Sequence, residues 1–187
     1  MKKVSDIHAI KIIFFITACY VGLWAIRIPT IKDQLQTDYI GVGYIMLSFA
    51  IGSIVAMIFA NALILKTSTK TILTYTLIAE GCLWLPVPFI DELWIFMIFS
   101  FVFGMSYGAF EIACNVYASN LEVREKKSMM SGFHAFWSLG VLFGSLITSF
   151  FLELNYSFIF NILIYVIILL PLSIYFVLCL ESQVEEK

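Results

Sequence analysis

From Leu93 to Phe110 the chain carries no charged residue, and beyond Glu111 it stays apolar to Ala118. A run of that length is a bilayer-crossing helix, which needs about 20 predominantly apolar residues. Charges and Pro/Gly clusters mark off five more such runs. The predicted spans are 12–28, 40–65, 71–90, 93–118, 129–152 and 156–180, followed by a polar tail at 181–187. A soluble domain is excluded by composition: 61% of the 187 residues are hydrophobic and 13% charged, more apolar surface than so small a domain can hide. The expected fold class is an all-α membrane protein, one bundle of six transmembrane helices over residues 1–180, with the lipid bilayer as its solvent.

The amino terminus has two lysines ahead of an apolar run, as a signal peptide does. No small-x-small cleavage site closes that run, so it reads as a retained first span. Lys2, Lys3, Lys11, Lys66, Lys70, Arg124, Lys126, Lys127 and Lys187 fall on one side of the six spans, and only Arg27 and Lys32 on the other. The asymmetry predicts a multi-pass protein with both termini in the cytoplasm. The tail reads as disordered, or as the start of a cytoplasmic linker between domains. Trp84 and Trp94 bracket a tight hairpin at 86–92 and are expected in an interfacial belt. Pro171 is expected to kink the sixth span rather than end it. A net charge of −2 and the lack of a basic patch give no reason to expect a nucleic-acid partner. Cys19, Cys82, Cys114 and Cys179 lie inside apolar runs without C-x-x-C spacing and read as packing residues. No metal or cofactor is expected.

The fourth and fifth spans carry the chemistry. Gly104, Gly108, Glu111 and Asn115 recur at i, i+4, i+7 and i+11 and occupy a stripe about 60° wide on a helix. The two glycines suit close approach of a neighbouring helix. Glu111 needs more, because an acidic residue at a helix centre costs about 2.5–3.5 kcal/mol on insertion scales. The usual compensation is a polar cavity through which a substrate or a proton moves. In the fifth span His134, Ser138 and Ser145 share one face, while Gly140 and Gly144 lie on another and read as packing residues. At 1.5 Å per residue Glu111 sits about 8 Å, and His134 about 10 Å, toward the cytoplasmic end of their spans. A Glu111–His134 contact, direct or through water, is therefore one expectation. Arg27 sits about 10 Å toward the other end, roughly 18 Å of depth from Glu111, which sets it aside as a counter-ion. It reads either as lining an external mouth that holds an anionic or hydroxylated substrate, or as an interfacial anchor. Glu80, near the centre of the third span, reads as paired with a polar group of the second or fourth span, or as neutral and facing lipid.

With these residues in view, the chain resembles the amino-terminal half of a major facilitator superfamily transporter. Three runs carry the likeness to a bacterial inner-membrane branch related to the fucose–proton symporter: Trp24-Ala-Ile-Arg27-Ile-Pro29-Thr-Ile-Lys32, Gly104-x-x-x-Gly108-Ala-Phe-Glu111-Ile-Ala-Cys-Asn115, and Met130-Ser-Gly-Phe-His134-Ala-Phe-Trp-Ser138-Leu-Gly140. The resemblance implies two three-helix units in inverted topology and secondary transport by alternating access. It implies a role in proton coupling for Glu111, and the depth argument adds His134 as a second proton-coupling candidate. Arg27, Asn115, Ser138, Trp24 and Tyr107 become substrate-cavity candidates, and Lys66 and Lys70 belong to the gating loop. That loop departs from the family signature G-x-L-x-D-R-x-G-R-K. The run from Asn61 to Lys70 keeps Leu63, Lys66 and Lys70 but has Leu65 in place of the aspartate that latches the two halves. A second acidic group, found on the symporter's first helix, has no equivalent here.

The leading expectation is transport of a small polar solute across the bacterial inner membrane, with a proton as candidate coupling ion, by half of a transporter. The second six-helix bundle would lie in cis, in trans or in a second copy, and a fragment or truncated gene product is the favoured account. A non-transporting scaffold or an inactive truncated product is the alternative. An intramembrane serine–histidine protease is disfavoured, because Ser145 and His134 stand about 16 Å apart along one helix and no G-x-S-x-G occurs.

Overall fold

The structure is a computed structural model that describes residues 4–182, with Asn61 described by its backbone alone. It is all helical: α1 (Asp6–Gln34), α2 (Tyr39–Lys66), α3 (Thr69–Trp84), α4 (Leu93–Glu125), α5 (Met130–Glu153) and α6 (Phe158–Cys179), with a short 3-10 turn, Val87–Phe89, between α3 and α4. All six elements are long and apolar enough to cross a membrane, so this is a six-helix membrane fold. Lys2, Lys3, Lys187 and the tail beyond Ser182 lie outside the described residues.

Local chemistry starts the helices. The Asp38 carboxylate accepts the Gly41 N–H at 2.9 Å, the Ser68 hydroxyl accepts Thr71 N–H at 3.1 Å, and the Ser157 hydroxyl accepts Phe160 N–H at 3.2 Å. Each occupies an N-cap, satisfying a donor that the helix cannot. At α5 the same service comes from the preceding helix, where Glu122 accepts the N–H groups of both Met129 and Met130. Lys126 (φ 50°) and Asn155 (φ 57°) adopt left-handed backbone just past α4 and α5 and let the chain reverse. Pro29 and Pro171 both lie inside helices that continue past them. Membrane helices tolerate this because neighbouring groups take up the freed carbonyl. The first helix therefore runs beyond the 28 expected from hydropathy.

Each three-helix unit crosses the bundle three times, so α4 begins at the end opposite to α1. The main helix pairs are α2 with α4, α1 with α5, α3 with α4, α1 with α6, and α3 with α6. Exchanging α1, α2 and α3 for α4, α5 and α6 maps this set onto itself, which is the pattern of an internal two-fold repeat. Glycines set the two tightest seams. A Cβ on Gly104 or Gly108 would meet the backbone carbonyl of Phe49 or Ser53, and one on Gly52 that of Phe101. On the other seam, Gly140, Gly144 and Gly22 press in the same way on the carbonyls of Phe15, Cys19 and Val141. Ile58, Phe59, Leu146 and Leu178 are among many large apolar side chains left on the outside, a surface suited to lipid rather than water.

The two described chain ends meet. Arg124 at the end of α4 binds Asp6 at 2.8 Å and Glu181 at 3.4 Å, and the Glu181 N–H donates to Asp6 at 3.2 Å. Tyr117 donates to the Glu181 carbonyl at 3.1 Å. Of the tail, expected to be disordered or the start of a linker, Glu181 is held by this cluster, and the residues beyond Ser182 lie outside the described ones. Trp84 also departs from expectation. It is 2% exposed and packs inside the bundle, whereas Trp94 is 61% exposed. The hairpin it precedes is instead held from α1, where the Gln34 amide donates to the carbonyls of Val87 (2.9 Å) and Ile90 (2.6 Å).

Filling the seams tests this packing. Gly108→Val or Gly144→Val is expected to destabilise the purified protein by about 1–3 kcal/mol through overpacking. Gly43→Ala, where a Cβ meets nothing within 4 Å, is expected to be neutral or stabilising by up to about 1 kcal/mol. Thermal unfolding in detergent distinguishes the two classes, and equal effects would rule out backbone approach as the source of stability.

Candidate functional site

A cavity of about 360 Å³ lies between α1, α2, α3 and α4, within the range of small-molecule sites. Each helix contributes one stripe at helical spacing. Tyr20 and Trp24 stand one turn apart on α1, and Glu80 and Trp84 one turn apart on α3. On α4, Phe96, Phe99, Phe103 and Tyr107 follow one another at i, i+3, i+7 and i+11. Met46 and Ala50 on α2 are exposed and form the rim, with Phe49 beside them.

The walls are a continuous set of aromatic rings. Tyr20 stacks on Trp84 with centroids 6.0 Å apart and planes 14° from parallel. Trp84 meets Phe103 edge-on at 5.6 Å and Trp24 at 6.2 Å. Phe49 joins Tyr107 at 5.6 Å, and Phe99 bridges Phe96 and Phe103. Into this apolar wall is set a single carboxyl group, Glu80, 7% exposed. Among the described residues it makes no hydrogen bond or ion pair. The Tyr20 hydroxyl and the Trp84 indole N–H are likewise buried without a partner. Glu80 thus follows neither expected course. It is neither paired with a polar group of α2 or α4 nor turned to lipid, but borders the cavity.

Of the residues singled out from sequence, Trp24 and Tyr107 line this cavity, while Arg27, Asn115 and Ser138 do not. Asn115 donates to the carbonyl of Glu111 at 2.9 Å, and Ser138 to that of His134 at 3.1 Å, so both satisfy themselves on their own helices. Glu111 is half-buried, one turn beyond Tyr107 on α4. His134 is exposed on α5 with its ring edge-on to Phe14 at 5.6 Å. No hydrogen bond or ion pair joins Glu111 to His134 directly, because α4 packs mainly on α2 and α3 while α5 packs on α1. Lys70 reaches the α6 end, donating to the carbonyls of Leu178 (3.1 Å) and Leu180 (2.5 Å). A cation there satisfies the last carbonyls of a helix. Lys66 is exposed.

Arg27 was expected at an external mouth or the interface. It is 2% exposed, inside the seam between α1 and α6. Its Nε donates to Asn161 Oδ1 at 3.0 Å and its guanidinium to the Tyr156 carbonyl at 3.4 Å, with the Phe158 ring 5.3 Å away. These partners hold the charge internally and leave none for the cavity. The aromatic stripes and the Glu80–Trp84 pair escaped the sequence reading. Their one legible signal was spacing, which also describes ordinary core packing.

The profile of the Major Facilitator Superfamily matches residues 12–187. An uncharacterized MFS-type transporter of Yersinia pestis is 28% identical over 145 residues, covering 76% of this chain and 37% of the relative. An uncharacterized transporter of Sinorhizobium fredii is 27% identical over 141 residues, covering 71% of this chain and 35% of the relative. The chain thus spans little more than a third of the length of these curated relatives. No solved structure gives a significant match.

The Arg27 seam carries its own expectation. Asn161→Leu removes the nearer acceptor of a buried charge, and hydrogen bonds to charged groups contribute about 1.5–3 kcal/mol. A loss of about 2 kcal/mol in detergent unfolding is expected, and an unchanged melting temperature would show the contact to be dispensable.

Proposed function

The chain belongs to the Major Facilitator Superfamily, and on that premise we propose that it forms one six-helix half of a secondary transporter that moves a small polar solute by alternating access. The observation that carries this reading is a cavity bordered by one membrane carboxyl group, with a second one turn beyond a residue of its wall. Glu80 borders it, Tyr107 on α4 lines it, and Glu111 stands one turn further along the same helix. Acidic residues so placed in spans mark substrate or proton pathways as a rule. Glu111 is the proposed proton-coupling group, and His134 a second titratable group near the same end of the bundle. A second bundle, in cis, in trans or in a second copy, completes the pathway. The proposed setting is the bacterial inner membrane with the described termini cytoplasmic, which the distribution of cations supports. The three sequence runs quoted above support the branch related to the fucose–proton symporter.

Two outcomes test the reading. In the transporter assembled with its second bundle, Glu111→Gln is expected to abolish the pH dependence of solute uptake while expression is retained, and an unaltered pH profile would remove Glu111 from coupling. The chain alone, reconstituted in liposomes, is expected to give no uptake above empty vesicles. Uptake by protein shown to be monomeric would overturn the half-transporter assignment.

A further inference from the structure

We propose that the aromatic cavity between α1 and α4 binds a small organic cation, an amine or quaternary ammonium with an apolar body, whose charge is met by Glu80. The proposal rests on the transport reading only in taking this ligand as the class of solute carried; the binding itself stands on the cavity.

A carboxylate in an apolar wall requires a counter-charge or several donors. Among the described residues no cationic side chain pairs with Glu80. Arg27 is held by Asn161, Tyr156 and the Phe158 ring, and Lys32 is bound to Asp33 at 2.6 Å. Neither a neutral solute nor an anion supplies a counter-charge for a carboxylate at that position. A metal ion would need several oxygen or nitrogen ligands, and no group of three or more acidic, histidine or cysteine side chains exists among the described residues. An organic ammonium meets both halves of the wall. Its charge pairs with Glu80, and its methyl or methylene groups lie against ring faces whose negative potential favours cations within about 6 Å. Trp24, Trp84, Tyr20 and Tyr107 line the cavity together with one carboxyl group. The unpartnered Trp84 N–H and Tyr20 hydroxyl in the same wall would suit a hydroxyl or carbonyl on the ligand. The volume of about 360 Å³ accommodates a molecule of that size.

The test uses the full chain purified in detergent, radiolabelled choline as probe, and competition by 3,3-dimethyl-1-butanol, which has the same shape with carbon in place of the charged nitrogen. Saturable choline binding is expected, with the neutral alcohol competing about tenfold or more weakly, a gap of about 1.4 kcal/mol or more. Glu80→Gln is expected to weaken choline by a similar factor and to leave the alcohol unaffected. Equal potency of choline and the alcohol on the unmodified chain would overturn the proposal without any variant. Absence of saturable choline binding, or unchanged choline affinity in a folded Glu80→Gln protein, would also overturn it. Any of these leaves the transport reading standing, whereas loss of that reading through the Glu111→Gln or liposome experiments leaves choline binding intact.

Discussion

The closest contacts in this bundle are between backbones, and they join the two three-helix units rather than helices within a unit. Gly104 and Gly108 of α4 rest on carbonyls of α2, and Gly140 and Gly144 of α5 rest on carbonyls of α1. In lipid no hydrophobic force drives helices together, so association depends on such fitted van der Waals contact and on interhelical hydrogen bonds. Both tight seams cross between units, so neither unit can move far without opening the other.

Polar groups inside the bundle are handled in three ways. Asn115, Thr17, Thr76 and Ser173 donate to carbonyls of the preceding turn of their own helices. Arg27 and Tyr165 reach a different helix, the latter donating to the Gly144 carbonyl at 2.6 Å and meeting Thr148 at 2.9 Å. Glu80 alone among the described buried charges is left to the cavity, since Asp6 is bound to Arg124 and Arg27 to Asn161. The two buried charges therefore differ in their surroundings: Arg27 is satisfied within the α1–α6 seam, and Glu80 borders an open cavity. Depth arithmetic correctly kept Arg27 away from Glu111, but it could not reveal which helix Arg27 would face.

Much of the fold was legible because a bilayer restricts its solutions. Apolar run length, the position of charges and the Pro86–Val87–Pro88 cluster located all six helices, and the Gly104-x-x-x-Gly108 spacing marked a seam. The site was less legible. Glu111 and His134 were brought level by depth, yet α4 and α5 are not the helices that pack together. Phe96, Phe99, Phe103 and Tyr107 look, in a sequence with 18 phenylalanines, like any buried stripe. Only the angular placement of α3 reveals that Glu80 faces those rings.

What the sequence determined by itself is the membrane as solvent, six helices, their order and the faces on which small residues recur, because these follow from local composition and from the helical repeat. Tertiary structure decided which helices meet across the two units, that Arg27 turns into the α1–α6 seam, and that Glu80 stands unpartnered in an aromatic cavity. Those outcomes depend on rotations of whole helices about their axes, and such rotations are set by contacts between residues far apart in the chain.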